Sequence, residues 1–168
     1  NFYASQCPRR SAASAPGRCS SSRKETVDGS SECGEKRMDK KLGFGLMRLP
    51  LKDLKDHKSI DMDELKEMVD IYLEKGFSFF DTGYPYHEGM SEVSFRETVV
   101  KRYPRDKYTI TDKMPLMIIT EASQYPLIFE EQLERCGVKY FDYYFLHAIG
   151  QGNYETVQDM KGFEFLSK

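Results

Sequence analysis

The sequence predicts an α/β fold in which parallel strands alternate with helices, and the architecture it favours is a (β/α)8 TIM barrel. Four apolar segments begin near residues 42, 77, 108 and 140. Their spacing is that of successive strand–helix units. Each apolar segment is followed by an amphipathic stretch, which is typical of a parallel sheet whose faces are covered by helices.

An open doubly wound sheet is the alternative architecture. Such a sheet, when it binds a dinucleotide, carries a Gly-x-Gly-x-x-Gly turn that opens a helix after the first strand. The segment at that place, GFGLMRLP at residues 43–50, opens no helix. It therefore favours the barrel without excluding a flavodoxin-like sheet.

The length predicts half of such a barrel. A complete barrel needs ~250 residues, whereas 131 residues run from Met38 to Lys168. Lys168 also falls inside a helical pattern that has no stop signal. We therefore expect a truncated chain with about four βα units.

The first unit pairs a strand at residues 42–47 with a helix that begins at Asp61. Glu64, three residues after this N-cap, predicts a capping box. Gly76 ends the helix as its C′ residue. Apolar side chains recur between these limits at helical spacing, at Met62, Leu65, Met68, Val69 and Tyr72.

The second and third strands follow the same pattern. The second strand spans residues 77–80, and its helix runs from 91 to 103, where Pro104 stops it. The third strand spans residues 108–111 and ends at Lys113.

The last units complete the half-barrel. Ser123 caps the third helix and Gly137 ends it. The fourth strand spans residues 140–146, and a fourth helix is predicted at 154–166. The inner face of the third helix carries Phe129, Leu133 and Cys136.

Residues 1–37 differ from the rest of the chain, with eight serines and three of the four cysteines. We interpret them as a disordered or non-native leader and residues 38–168 as the folded domain. The leader resembles a basic, serine-rich transit peptide, but the chain begins with Asn1. These three cysteines are too widely spaced for a metal or redox pair, so we expect no metal site. Because they lie in a segment with no fold signal, we expect a reducing, cytoplasmic location.

The net charge and the hydropathy of the chain limit the classes of molecule that it is expected to bind. The net charge of −2 argues against nucleic-acid or membrane-surface binding. No apolar run approaches the ~20 residues of a membrane span. We expect a small-molecule partner, and the oligomeric state stays open.

Side chains with chemical function follow three successive strands: Asp81, then Tyr86 in the next loop, then Lys113 and His147. Taken singly, each has an ordinary role, as a turn acid, a packing tyrosine, a solvated lysine and a core histidine. In a barrel, however, the carboxyl ends of the strands form the active site. The four side chains are therefore predicted to converge there.

This set suits carbonyl reduction. Hydride delivery to a carbonyl creates an alkoxide that needs a proton, and a nearby Lys113 ammonium would help Tyr86 to supply it. Asp81 would hold Lys113 charged and aimed, and a neutral His147 would orient the substrate oxygen. None of these groups is a hydride source, so a nicotinamide cofactor must supply the hydride.

Four ordered segments resemble the aldo-keto reductases, over a stretch from about residue 41 to residue 166. They are GFGLMRLP (43–50), FDTGYPYHEGMSE (80–92), TDKMP (111–115) and FDYYFLHAI (141–149). The resemblance implies a catalytic tetrad with Tyr86 as general acid, formed by Asp81, Tyr86, Lys113 and His147. It also implies NADPH as cofactor, with its nicotinamide beside Asp81, Gly45, Leu46 and Met47.

Three details qualify the resemblance. It is closest to a prokaryotic branch that often carries a C-terminal iron–sulfur extension, but this chain has no such cysteine motif. Tyr84 is a rival acid, and the family spacing of five residues after the aspartate selects Tyr86. Asp112 stands where members often have threonine, and an acid there would bias the charge of Lys113, although adjacent strand residues face opposite sides.

Because the later strands of a barrel are absent, we expect this fragment to be inactive by itself, and open strand edges favour association. One alternative is a non-catalytic half-barrel that serves as an interaction module. Another is a barrel enzyme that uses Lys113 as a Schiff base, with Asp81 and Tyr86 transferring protons. The substrate is not predicted, and NADPH in preference to NADH comes from the resemblance alone.

Overall fold

A computed structural model describes residues 41–167 of the chain. Its parallel sheet has the strand order β1-β2-β3-β4, with β1 at Gly43–Gly45, β2 at Phe79–Asp81, β3 at Thr109–Met114 and β4 at Tyr143–Leu146. The strands alternate with helices, which confirms the predicted half of a parallel βα barrel. The predicted leader, residues 1–37, lies outside the described residues.

Five α-helices accompany the strands: α1 at Met62–Glu74, α2 at Met90–Phe95, α3 at Gln124–Cys136, α4 at Tyr154–Asp159 and α5 at Gly162–Leu166. Short 3₁₀ turns lie at Tyr86–Gly89, Arg105–Lys107 and Leu116–Ile118. Among these described helices, none combines the length and the apolar character that a membrane span requires.

The start of α1 differs in one bond from the predicted capping box. Asp61 accepts hydrogen bonds from the amides of Asp63 and Glu64, both at 3.2 Å, as an N-cap should. Its own N–H donates to Pro50 O at 2.8 Å, so the reciprocal bond from Glu64 is not needed and the full box was a wrong prediction. Gly76 has φ 80°, as expected of a C′ glycine.

Two predicted helices are modified in the structure. The second continues beyond α2 as a π-helical turn at Arg96–Val100 instead of a regular helix to 103. The fourth breaks at Lys161, whose φ is 61°, into α4 and α5. At the break, a Cβ on Gly162 would lie 2.7 Å from Val157 Cγ1 and 2.9 Å from Tyr125 Oη, so close packing requires glycine there.

The buried face of α3 agrees in part with the predicted one. Cys136 is buried as predicted, and Phe129 is half-buried and packs against the core, but Leu133 is also only half-buried. The other buried residues of the helix are Tyr125 and Gln132. The Ser123 side chain makes no capping hydrogen bond. Polar Gln132 therefore occupies a buried position that an apolar pattern does not reveal.

The two faces of the sheet have different surroundings. The outer face packs against the helices through Phe80, Ile110, Met114 and Leu146, all buried. The inner face carries Asp81 and Lys113 together with aromatic residues, and Tyr143 and Phe145 there are 54% and 49% exposed. Within the described residues, β1 and β4 each pair with one neighbour only.

Candidate active site

Lys113 lies at the centre of the candidate site, on the inner face of β3. That strand runs to Met114, so Lys113 is its penultimate residue instead of lying beyond its end. Its Nζ donates to both carboxylate oxygens of Asp81, at 2.8 and 2.9 Å, and to Thr82 O at 2.6 Å. The Lys113 side chain is only 15% exposed, so these acceptors hold a largely desolvated ammonium.

Tyr86 packs against this ammonium. Lys113 Nζ lies 5.0 Å from the centre of the Tyr86 ring, which is a cation–π distance. A close backbone approach permits this position, because a Cβ on Gly83 would lie 3.0 Å from both Cε2 and Cζ of Tyr86. The sequence-predicted pair of Lys113 and Tyr86 is therefore brought together in the structure.

His147 completes the group beyond the end of β4. Its ring meets the Tyr86 ring edge to face, with centres 5.5 Å apart, and its backbone N–H donates to Met114 O at 2.9 Å. Burial lowers the pKa of His147 below its ordinary value, and the Lys113 charge lowers it further, against the opposing effect of Asp81. The imidazole is therefore neutral at neutral pH.

A cleft of about 460 Å³ opens beside Tyr86 and His147. The residues that line it come from the loops after β1, β2 and β4: Met47, His57, Pro85, Tyr86, His87, Glu88 and His147. All three histidines of the chain thus line one cleft. The cleft exposes an aromatic hydroxyl-bearing ring and a neutral imidazole to the same space.

The loop after β1 presents only part of the segment predicted to lie by the nicotinamide. The Leu46 side chain is fully buried, while its backbone N–H donates to Asp81 O at 2.8 Å and its carbonyl accepts from Ser91 Oγ at 3.0 Å. Met47 is 57% exposed and lines the cleft, and no atom lies within 4 Å of a Cβ built on Gly45. Gly45 and Met47 are thus accessible from the inner face and the cleft.

Tyr84, the rival acid, points elsewhere. Its hydroxyl donates to Glu131 on α3, at 3.2 and 3.3 Å from the two carboxylate oxygens, and Arg135 lies 4.5 Å over its ring. Burial raises the Tyr84 pKa, and the Glu131 charge adds to the effect. These contacts hold Tyr84 on α3, apart from Lys113.

Asp112 lies behind Lys113, on the buried outer face of β3. Its Oδ1 accepts the Lys113 N–H at 2.7 Å, and its Oδ2 lies 3.7 Å from Cys136 Sγ. Burial raises the Asp112 pKa well above its ordinary value, and the neighbouring Glu92 charge adds to this. Both effects favour the neutral, protonated form of Asp112.

Residues that the sequence reasoning missed surround Asp112. Gln132 donates from Nε2 to Glu92 Oε1 at 3.0 Å and to Lys113 O at 3.1 Å, and accepts from the Tyr144 hydroxyl. Arg135 Nε lies 2.7 Å from Glu92 Oε2 as an ion pair. The sequence signal for this network was Gln132, a polar residue that lies at helical spacing between Phe129 and Cys136.

The same cluster holds three groups able to ligate a metal. One oxygen each of Glu92 and Asp112, and Sγ of Cys136, lie within 4.8 Å of one another. Burial raises the pKa of the Cys136 thiol, and Arg135 already supplies a positive charge to Glu92. The cluster supports β3 through its hydrogen bonds to Asp112 and to the backbone of Lys113.

The fold and the strand-end side chains define half of a parallel βα barrel with an acid–lysine–tyrosine group at its mouth. The chain belongs to the aldo/keto reductase family, whose family model matches residues 41–164. This is a family of oxidoreductases. A search of curated proteins finds no match.

Solved structures support the fold. A crystal structure of an aldo-keto reductase from Pseudomonas aeruginosa has a TM-score of 0.61 and 18% identity, over 74% of this chain and 49% of that one. A structure from Klebsiella pneumoniae, described as an aldo-keto reductase in complex with NADPH, has a TM-score of 0.50 and 18% identity, over 72% and 41%. The chain spans about half the length of these structures.

Proposed function

We propose that this chain supplies the proton-delivery half of the active site of an enzyme that reduces aldehyde or ketone carbonyls of small molecules with NADPH. The observation that carries the proposal is the Lys113 ammonium, held by Asp81 and Thr82 O against the Tyr86 ring. A buried ammonium beside a tyrosine stabilises the negative charge that develops when the phenol gives up its proton.

Each side chain then has one role at the substrate oxygen. Tyr86 donates the proton to the developing alkoxide, and Lys113 stabilises the resulting phenolate. Asp81 accepts hydrogen bonds from the Lys113 ammonium at both carboxylate oxygens and so holds it beside Tyr86. His147, which stays neutral because its pKa is lowered, donates a hydrogen bond that orients the carbonyl.

NADPH supplies the hydride when it is bound. The residues that fit it are Gly45, with open space where a side chain would stand, and Met47, exposed on the cleft. Asp81 lies between Gly45 and Lys113 in the sheet, because β2 lies between β1 and β3 and Asp81 pairs in register with Gly45. Leu46 would act through its backbone alone, because its side chain is buried.

We further propose that the 168-residue chain has no useful reductase activity by itself. It spans about half the length of the similar structures, and its inner sheet face is open. Activity is therefore to be measured in the full-length gene product, meaning the longer polypeptide that we expect this sequence to belong to.

The test replaces Tyr86 by phenylalanine in the full-length gene product. We expect Tyr86→Phe to lower the rate of NADPH-dependent aldehyde reduction by a factor of 10² or more, the range of general acid catalysis, while the NADPH dissociation constant stays the same. Tyr84→Phe is the matched control and should retain activity, since Tyr84 bonds to Glu131. Full activity of Tyr86→Phe would overturn the assignment.

A non-catalytic interaction module is the second candidate, and the exposed aromatic residues of the inner face favour it. In that case the full-length product would oxidise no NADPH with any carbonyl substrate.

The Schiff-base alternative requires a neutral Lys113 amine, and the short contacts to Asp81 and Thr82 O disfavour it. Borohydride trapping of a carbonyl substrate on Lys113 would support it instead.

A further inference from the structure

His87, the residue after Tyr86, makes two hydrogen bonds to the backbone of another part of the chain. Its Nε2 lies 3.0 Å from Leu49 N, and its Nδ1 lies 2.9 Å from His57 O. An amide N–H can only donate, so Nε2 must carry the lone pair. Nδ1 then carries the hydrogen and donates to His57 O, which fixes one neutral tautomer.

These bonds join two loops around the cleft, the connection between β1 and α1 and the turn after β2. Leu49 follows β1, and His57 belongs to the segment closed by an antiparallel bridge between Leu51 and Ile60. His87 lies in the 3₁₀ turn after β2. The Leu51–Ile60 segment is thereby tied to the turn that carries Tyr86.

The backbone at this turn needs such support. His87 and Glu88 have φ values of 51° and 52°, in the left-handed region that non-glycine residues rarely adopt. Such conformations persist where surrounding contacts determine them. An ion pair between Lys58 and Glu88, at 3.3 Å, adds a contact between the same two loops, but both side chains are more than half exposed.

We propose that His87 is a positioning residue that holds Tyr86 against Lys113 and His147 and fixes the Leu51–Ile60 segment as a wall of the substrate cleft. The inference rests on the proposed function for its kinetic consequences, but not for its structural ones. His87 touches no reacting atom in this scheme; it acts on Tyr86 through the shared backbone.

The variants separate the two hydrogen bonds. His87→Ala removes both bonds. His87→Asn retains a donor near Nδ1 and suits a positive φ, whereas His87→Gln retains an acceptor near Nε2. Lys58→Ala is the matched control, because it removes only the exposed ion pair between the same loops.

The structural arm of the test uses the 168-residue chain. Nitrogen-15 NMR of the imidazole should show an unprotonated Nε2 and a protonated Nδ1 at neutral pH. Hydrogen exchange of the Leu49 amide should accelerate about fivefold to tenfold in His87→Ala, as expected for one lost hydrogen bond, and less than twofold in Lys58→Ala. A protonated Nε2, or unchanged Leu49 exchange in His87→Ala, would overturn the proposal.

The kinetic arm uses the full-length gene product. We expect His87→Ala to lower kcat by roughly tenfold or more, since a small misplacement of a catalytic group has effects of that size. The NADPH dissociation constant should not change, and His87→Asn or His87→Gln should restore part of kcat. Equal losses in all three variants, or a change in cofactor affinity alone, would contradict positioning. Activity that survives Tyr86→Phe would refute the proposed function and leave the structural arm to decide the His87 bonds.

Discussion

Single residues of this site depend on close approach and on burial. Three oxygen atoms accept hydrogen bonds from the Lys113 ammonium and fix its position. Tyr86 can pack beside this ammonium because Gly83 has no side chain. The tetrad could be proposed from sequence, because each member lies at or shortly after the end of a recognisable strand: Asp81, Tyr86, Lys113 and His147. The two hydrogen bonds of His87 could not be predicted from the sequence, because its partners are backbone groups of a distant loop and leave no side-chain pattern.

Gly83→Ala tests the approach of Tyr86. A Cβ there would lie 3.0 Å from two ring atoms, so the Tyr86 ring must shift from its position beside Lys113. We expect kcat of the full-length product to fall roughly tenfold or more, with little change in thermal stability. Gly152→Ala is the control, since nothing lies within 4 Å of its Cβ; equal activities of the two variants would argue against this constraint.

Asp112→Asn tests the buried acid. Above the ordinary aspartate pKa of about 4, the unfolded chain releases this proton while the folded chain keeps it, because burial raises the folded pKa. The free energy of unfolding therefore decreases as pH rises toward the folded value, by up to about 1.4 kcal/mol per pH unit. Asparagine stays neutral, so urea unfolding from pH 4 to 8 should show a weaker decrease; an identical pH profile would mean that Asp112 is ionised.

At the scale of elements, the alternation of side chains along β3 places the candidate catalytic residue on one face of the sheet and the buried acid on the other. Lys113 faces the inner side with Asp81, and Asp112 faces the helices, as adjacent strand residues must. Periodicity predicted the strands and α1 well. It missed the buried polar residue Gln132 on α3. It also missed the break between α4 and α5, which tertiary packing at Gly162 decides.

Gly162→Ala tests that break. The added methyl would lie 2.7 Å from Val157 Cγ1 and 2.9 Å from Tyr125 Oη, and both residues are buried. We expect the free energy of unfolding to decrease by about 1–3 kcal/mol, the usual range for overpacking. Gly150→Ala has open space and should be nearly neutral. If the denaturant unfolding curves of Gly162→Ala and Gly150→Ala coincide, the helix break has another cause.

At the scale of the whole molecule, the described residues form a sheet that is covered on one side only. Tyr143 and Phe145 lie exposed on the inner face, and β1 and β4 each lack a second described neighbour. The fold class and the half-barrel length followed from strand spacing. The exposure of the inner face followed from the number of predicted strands, which is four where a closed barrel has eight, because a barrel interior is buried only when the barrel closes.

The isolated 168-residue chain should therefore self-associate. Exposed aromatic faces and open strand edges promote association, so light scattering should show species larger than a monomer at micromolar concentration. Replacing Tyr143 and Phe145 by serine should shift the distribution toward monomer. Leu54→Ser, at an 84% exposed site on a loop, is the control and should not. A monodisperse monomer of the original chain would contradict the expectation.

The open inner face also has a consequence for biosynthesis. In a longer polypeptide that carries this chain at its start, the four strands leave the ribosome before any strand that could close the barrel. At roughly 5–20 residues per second, a second half of ~125 residues takes seconds to appear. We expect nascent-chain chaperones to occupy the aromatic face during that interval. Selective ribosome profiling would detect their binding after β4 emerges, and an absence of enrichment there would contradict it.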